Sequence, residues 1–125
     1  MNTFTIEATN KTPFICADPI KGTIDITGRS IPANPIEFYR PLMDWVNEYD
    51  GQNPNRVQVN IQVDFINTSS SKCLMAIFKR LDLMSKKGKD VAINWYYNED
   101  DEEIFTVGSD YKGLVSCPLN LVEVI

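Results

Sequence analysis

Thr68, Ser69, Ser70 and Ser71 place four hydroxyl groups in succession between Asn67 and Lys72. A hydroxyl is a phosphoryl acceptor. A phosphate is well held where a helix begins, because unpaired N–H groups and the positive end of the helix dipole meet there. The flanking residues put the cluster at such a place. Val57, Val59, Ile61, Val63 and Phe65 alternate with Gln58, Asn60, Gln62 and Asp64, the period of a strand with one apolar face. Leu74, Ile77, Phe78, Leu81 and Met84 recur at helical spacing. The hydroxyls therefore occupy a strand-to-helix turn, with the helix expected from near Ser69 to Gly88. Two readings are open. In one, Thr68 or Ser69 caps the helix and the rest is a polar first turn. In the other, the turn holds a phosphate, on a ligand or on the chain itself.

Little else in the sequence offers chemistry. There is no histidine, which removes the usual general base for a Ser or Cys nucleophile. The three cysteines, Cys16, Cys73 and Cys117, lie far apart and form no CxxC pair, so they do not have zinc-site spacing. They are expected to be buried, reduced core thiols. The run Glu99 to Glu103 lacks the Asp-x-Asp-x-Asp-Gly spacing of a calcium loop. It reads as the solvated first turn of a helix, or as a contact to a basic partner. Lys72 is either a solvated helix residue or a cation beside a phosphate held by the turn. Trp45 and Trp95 fall on apolar stripes and are expected in the core. Tyr96 points away from Trp95, to an open surface or beneath a helix. No catalytic residue, metal or cofactor is expected.

The elements that position the turn are legible in the patterning. The chain has 125 residues, 43% of them apolar, enough for one core and one domain, residues 1–125. Its net charge of −5 argues against a nucleic acid partner, which needs a basic face. No apolar run is long enough for membrane insertion and no signal peptide is evident, so the expectation is a cytoplasmic protein. Phe4 and Ile6 open a strand, and residues 12–28 read as a hairpin turning at Asp18-Pro19-Ile20-Lys21-Gly22. Gly28 to Pro32 is expected to leave the sheet. Asn34-Pro35-Ile36-Glu37 is a capped helix start. Phe38, Leu42, Trp45, Val46 and Tyr49 form its stripe, and Pro41 is expected to kink it or delay its regular start. Val91, Ile93, Trp95 and Tyr97 mark another strand. A short helix over about 102–107, ended or bent at Gly108, with room for a further turn over 110–116, and a strand over 119–124 close the chain. The order predicts a single-domain α/β fold, a mixed sheet with a leading hairpin, βαβ units and about three helices. Alternation in 57–65 suggests that one sheet face, bearing Gln58, Asn60 and Gln62, is only partly covered.

Several segments together carry a family resemblance. Asp64-Phe65-Ile66-Asn67-Thr68-Ser69-Ser70-Ser71-Lys72 resembles the signature of the SiaC family of bacterial regulatory phosphoproteins. Gly28-Arg29-Ser30-Ile31-Pro32 with Asn34-Pro35-Ile36-Glu37-Phe38-Tyr39 resembles the family's entry to its first helix. Asn94-Trp95-Tyr96-Tyr97 with Asp100-Asp101-Glu102, Gly108-Ser109-Asp110-Tyr111, and Pro118 to Val124 resemble its later segments. The match runs through nearly the whole chain in order, departing at Ala33, where the family pattern has Glu. The arrangement is also similar to STAS-type anti-sigma-factor antagonists, whose modified hydroxyl follows a strand and precedes a helix.

The resemblance implies a partner switch in biofilm and cyclic-di-GMP signalling. Thr68 is the implied phosphorylation site. The implied partners are a Ser/Thr kinase of the anti-sigma-factor type, a PP2C-type phosphatase, and a diguanylate cyclase that the unphosphorylated form activates. Asn67, Ser69, Ser70, Ser71, Lys72, Arg29 and Ser30 make up the expected partner-binding surface, with Ser69 and Ser70 the rivals for modification. The alternative is a small-ligand or nucleotide-binding module that uses the 67–72 turn as an anion cradle.

Overall fold

In the computed structural model, which describes all residues 1–125, the turn after Asp18 joins β2 (Phe14–Asp18) to β3 (Thr23–Ser30). The Asp18 carboxylate accepts from the N–H groups of Ile20 and Lys21 at 2.9 and 3.2 Å. Gly22, at φ 68°, completes the turn in the left-handed region that favours glycine. β1 (Phe4–Ile6) pairs antiparallel with β2. Then follow α1 (Pro35–Gly51), β4 (Arg56–Ile66), α2 (Thr68–Lys86), β5 (Asp90–Asn98), α3 (Glu102–Leu114) and β6 (Leu119–Val124).

The six strands lie side by side in chain order, antiparallel from β1 to β3 and parallel from β3 to β6. Right-handed crossovers that always step to the next strand put every helix on the same face. Burial agrees: Val57, Val59, Ile61 and Val63 are buried, whereas Gln58 and Asn60 are half-buried and Gln62 is exposed. The sheet is thus a two-layer α/β fold with one open face, as the alternation in 57–65 suggested. Across that face the register aligns Thr5, Cys16, Asp25, Asn60, Asn94 and Asn120 in one row. Asn60 donates to Asp25 at 2.9 Å, Asn94 to Asn60 at 3.0 Å and Asn120 to Asn94 at 3.0 Å. This row satisfies its polar groups laterally.

Several local expectations are corrected. β3 continues to Ser30, because a bulge at Gly28/Arg29 lets Arg29 and Ser30 keep pairing with Phe65 and Ile66. α1 is continuous through Pro41, which lies on its exposed side, and its buried stripe takes Tyr39, with Phe38 only half-buried. α3 runs on through Gly108 to Leu114, because that glycine is a packing site. A Cβ there would lie 2.2 Å from the Trp95 ring. Trp45 and Trp95 are in the core as expected, and Tyr96 is half-buried on the open-face side. Of the three thiols only Cys117 is buried. Cys16 stands on the open-face row and Cys73 borders a groove, so both are partly accessible.

Candidate functional site

α2 starts one residue earlier than its hydroxyls suggested, because Asn67 is the cap. Its side-chain oxygen accepts from the Ser70 N–H at 2.8 Å, and its carbonyl accepts from the Ser71 N–H at 3.0 Å. Thr68 is therefore the first helical residue. Its N–H and that of Ser69 have no acceptor within the helix, which leaves positive dipole at the surface. Helical rotation then sorts the four hydroxyls. Thr68 and Ser69 are exposed, Ser71 is half-buried and Ser70 is fully buried above Leu74. The Ser70 hydroxyl has no hydrogen-bond partner.

Three elements hold this turn in place. The Asn67 N–H donates to the Ser30 carbonyl at 3.1 Å, tying the turn to β3. Ser30, also fully buried, shares a 2.5 Å hydrogen bond with the Tyr39 hydroxyl of α1. On the other side the Tyr111 hydroxyl of α3 donates to the Ser71 carbonyl at 2.9 Å and lies 2.7 Å from the Ser71 hydroxyl. Burial pushes the Tyr39 phenol up to about 12, against the opposing effect of its Ser30 bond. It pushes Tyr111 upward too, again opposed by the bond to Ser71. Both phenols are therefore neutral struts at physiological pH.

Beside the turn, α1 and α2 leave an open groove of about 560 Å³. Ile36, Tyr39 and Met43 line it from α1, and Cys73, Ala76 and Ile77 from α2. Ile36 is 66% exposed. Arg40 and Lys72 are the charged residues of the lining, to which Ser69 also belongs. Thr68 precedes Lys72 by four residues, so the two share one helical face. On the β3/β4 side, the Arg29 guanidinium lies 5.6 Å from the ring centre of Phe65, which is 49% exposed.

Of the expected site residues, Thr68, Ser69, Lys72 and Arg29 are exposed, Asn67 and Ser71 are half-buried, and Ser30 and Ser70 lie beneath the surface. Ser70 thus offers no accessible hydroxyl to a kinase, and Ser30 acts as a brace. The sequence reading assigned no role to Tyr39, Tyr111 or Phe65. For Tyr39 the available signal was its place beside the apolar stripe of α1, since a buried phenol needs a partner; Tyr111 lay beyond the helix that the sequence indicated. Phe65 read as one more core residue of its strand. No three carboxylate or thiol side chains gather closely enough to hold a metal ion.

The sequence model of the SiaC family, described as regulatory phosphoproteins, matches residues 6–124. An uncharacterized protein of Pseudomonas aeruginosa strain UCBPP-PA14 is 29% identical over 120 residues, 94% of each chain. The structure of SiaC from P. aeruginosa superposes with a TM-score of 0.93 at 25% identity, covering 99% of this chain and 100% of that one. The crystal structure of the diguanylate cyclase SiaD in complex with its activator SiaC, also from P. aeruginosa, contains a chain that matches at a TM-score of 0.92 and 25% identity. That match covers 97% of this chain and 99% of the other. The chain belongs to the SiaC family of regulatory phosphoproteins.

Proposed function

We propose that this protein is a non-catalytic, cytoplasmic switch whose state is the phosphorylation of Thr68. Unphosphorylated, it binds and activates a diguanylate cyclase. A Ser/Thr kinase of the anti-sigma-factor type transfers the γ-phosphoryl group of ATP to the Thr68 hydroxyl oxygen, which loses its proton as ADP leaves. The modified form releases the cyclase, and a PP2C-type phosphatase restores the hydroxyl by hydrolysis. The observation that carries this reading is the exposure of Thr68 as the first residue of a rigidly capped helix, in a chain of a regulatory phosphoprotein family. A phosphate at that position adds about −1.5 to −2 charges. The helix dipole favours an anion there by about 0.3–1 kcal/mol. The modification is therefore tolerated by the fold and felt by whatever docks on the surface.

The test is intact-mass and peptide mapping after incubation with the cognate kinase and ATP, wild type against Thr68→Ala. One phosphate that disappears in the variant is expected. A phosphate that persists in Thr68→Ala, or none in wild type, overturns the assignment. Cyclase activation is then compared for wild type, Thr68→Ala and Thr68→Asp, and only the last is expected to lose it.

A further inference from the structure

The Thr68 side chain makes no hydrogen bond of its own; the bonds around it belong to Asn67, Ser70 and Ser71. On one side the Asn67 N–H is tied to the Ser30 carbonyl of β3 at 3.1 Å, backbone to backbone. On the other side the Ser71 carbonyl and hydroxyl meet a single group of α3. The Tyr111 hydroxyl donates to that carbonyl at 2.9 Å and lies 2.7 Å from that hydroxyl. Thr68 therefore stands on a turn fixed at both ends, to β3 and to α3. The Ser71 carbonyl lies inside α2, where a carbonyl accepts from the N–H four residues on, so the helix does not need the phenol for its own ladder. What the phenol adds is the placement of that first turn against α3.

The core aims the Tyr111 ring. It is 3% exposed and packs edge-on against Phe78 and Trp95, with ring centres 4.9 and 5.2 Å away. A phenylalanine would make the same apolar contacts. The hydroxyl is the difference, and both its partners are atoms of Ser71. Resting on the switch reading above, we propose that Tyr111 is a positioning residue for phosphoryl transfer to Thr68. Acting through Ser71, it holds the first turn of α2 so that the acceptor oxygen meets the kinase in one place. There the Thr68 oxygen bonds to the γ-phosphorus of ATP as the bond to ADP breaks, and its proton passes to a base of the kinase. Catalysis of such a transfer rests largely on positioning, and a displacement of about 1 Å can cost about a hundredfold in rate. Because Tyr111 is buried, its loss changes that placement and leaves the surface the kinase touches chemically as it was.

The test is single-turnover phosphorylation of the full chain by the cognate kinase and ATP, over a range of kinase concentrations and well below the melting temperature. Tyr111→Phe is expected to lower the maximal rate by about tenfold or more, with half-saturation within about twofold of wild type. Ile93→Val, a core truncation in β5 far from the turn, controls for lost stability and should transfer as wild type. 4-Fluorophenylalanine at position 111 fills the space of the hydroxyl without donating, so it should repeat the loss even if Tyr111→Phe lacks a native melting transition. 4-Aminophenylalanine there restores a donor to the Ser71 carbonyl and should recover most of the rate. Wild-type rates in both variants without a hydroxyl overturn the positioning role. So does an equal loss in Ile93→Val, which would be a stability effect, or a raised half-saturation at an unchanged maximal rate, which would be a docking effect. Failure of the amino variant to recover overturns it as well. No phosphate on wild type, or phosphate that persists in Thr68→Ala, overturns the switch reading and this inference with it, whereas normal transfer in the position-111 variants leaves the switch standing alone.

Discussion

At the scale of single residues, the hydroxyl cluster divides into an exposed edge and a buried edge. The difference between Thr68 and Ser70 is two residues, or about 200° of helical rotation. It turns one hydroxyl to solvent and seals the other at 0% exposure without a partner. A buried hydroxyl with no hydrogen bond costs stability, and serine is a poorer helix former than alanine. Ser70→Ala is therefore expected to raise stability by about 0.5–2 kcal/mol, read as a shift in the urea midpoint with unchanged slope. Under the proposed switch, the same variant should accept phosphate from the kinase as wild type does, because the buried Ser70 hydroxyl is not the proposed acceptor. Loss of phosphorylation in a well-folded Ser70→Ala would move the modified site inward and contradict the exposure argument. Thr68→Asp should leave stability unchanged or slightly raised, since a carboxylate in the first turn favours the dipole.

At the scale of elements, α3 shows what a sequence pattern conveys and what it withholds. Its acidic start was legible in Asp101, Glu102 and Glu103, and Asp101 indeed caps it by accepting from the Ile104 N–H at 3.1 Å. Its length was not legible, because Gly108 reads as a stop when only backbone preference is weighed. Its reason for being glycine is tertiary: an added Cβ would lie 2.2 Å from Trp95 Cδ1, 2.6 Å from Trp95 Nε1 and 2.8 Å from a Leu121 methyl. Gly113, in the same helix, has nothing within 4 Å. Gly108→Ala is thus expected to destabilise by about 1–3 kcal/mol through overpacking against a fully buried ring. Gly113→Ala should stabilise by about 0.5–1 kcal/mol through helix propensity. Thermal melts of the pair decide the point, and equal effects of one sign would refute the packing account. The same logic explains the rest of the reading. Period two in 57–65 and helical spacing in 74–84 reported the strand and helix around the hydroxyl turn, since both depend on local alternation. The β3 extension, the Tyr39 and Tyr111 struts and the α1–α2 groove depend on which elements become neighbours. That is set by the sheet order and is not written in any one segment.

At the scale of the whole molecule, one consequence of the all-one-face topology is a division of labour between the two faces of the sheet. The helix face carries the Thr68 turn, and the open face carries the laterally bonded row from Asp25 to Asn120. The last strand needs its own anchor, because β6 is an edge that pairs only with β5. Asp82 of α2 supplies it. Almost fully buried, its carboxylate accepts from the Ser116 N–H at 2.9 Å and the Cys117 N–H at 2.7 Å, at the entry to β6. Burial pushes its acidity toward weaker, but the N–H donors of Ser116 and Cys117 and the charge of Lys86 outweigh it, and the net shift is downward. Asp50, held by Arg80 against the cost of burial, is shifted the same way. A carboxylate whose acidity is greater in the folded state gives stability that is fully present above the unfolded value, about pH 4. That stability is lost as pH falls through the folded value. Asp82→Asn keeps the shape and removes the charge, so at pH 7 it is expected to cost about 1.5–3 kcal/mol, the range for hydrogen bonds to a charged group. The gap between wild type and variant should then narrow as urea midpoints are followed downward from pH 7 past the unfolded value, as the wild-type carboxylate protonates. A gap that stays constant with pH would mean that Asp82 contributes by packing alone, and the anchoring of β6 would have to be sought in Cys117 and Leu119 instead.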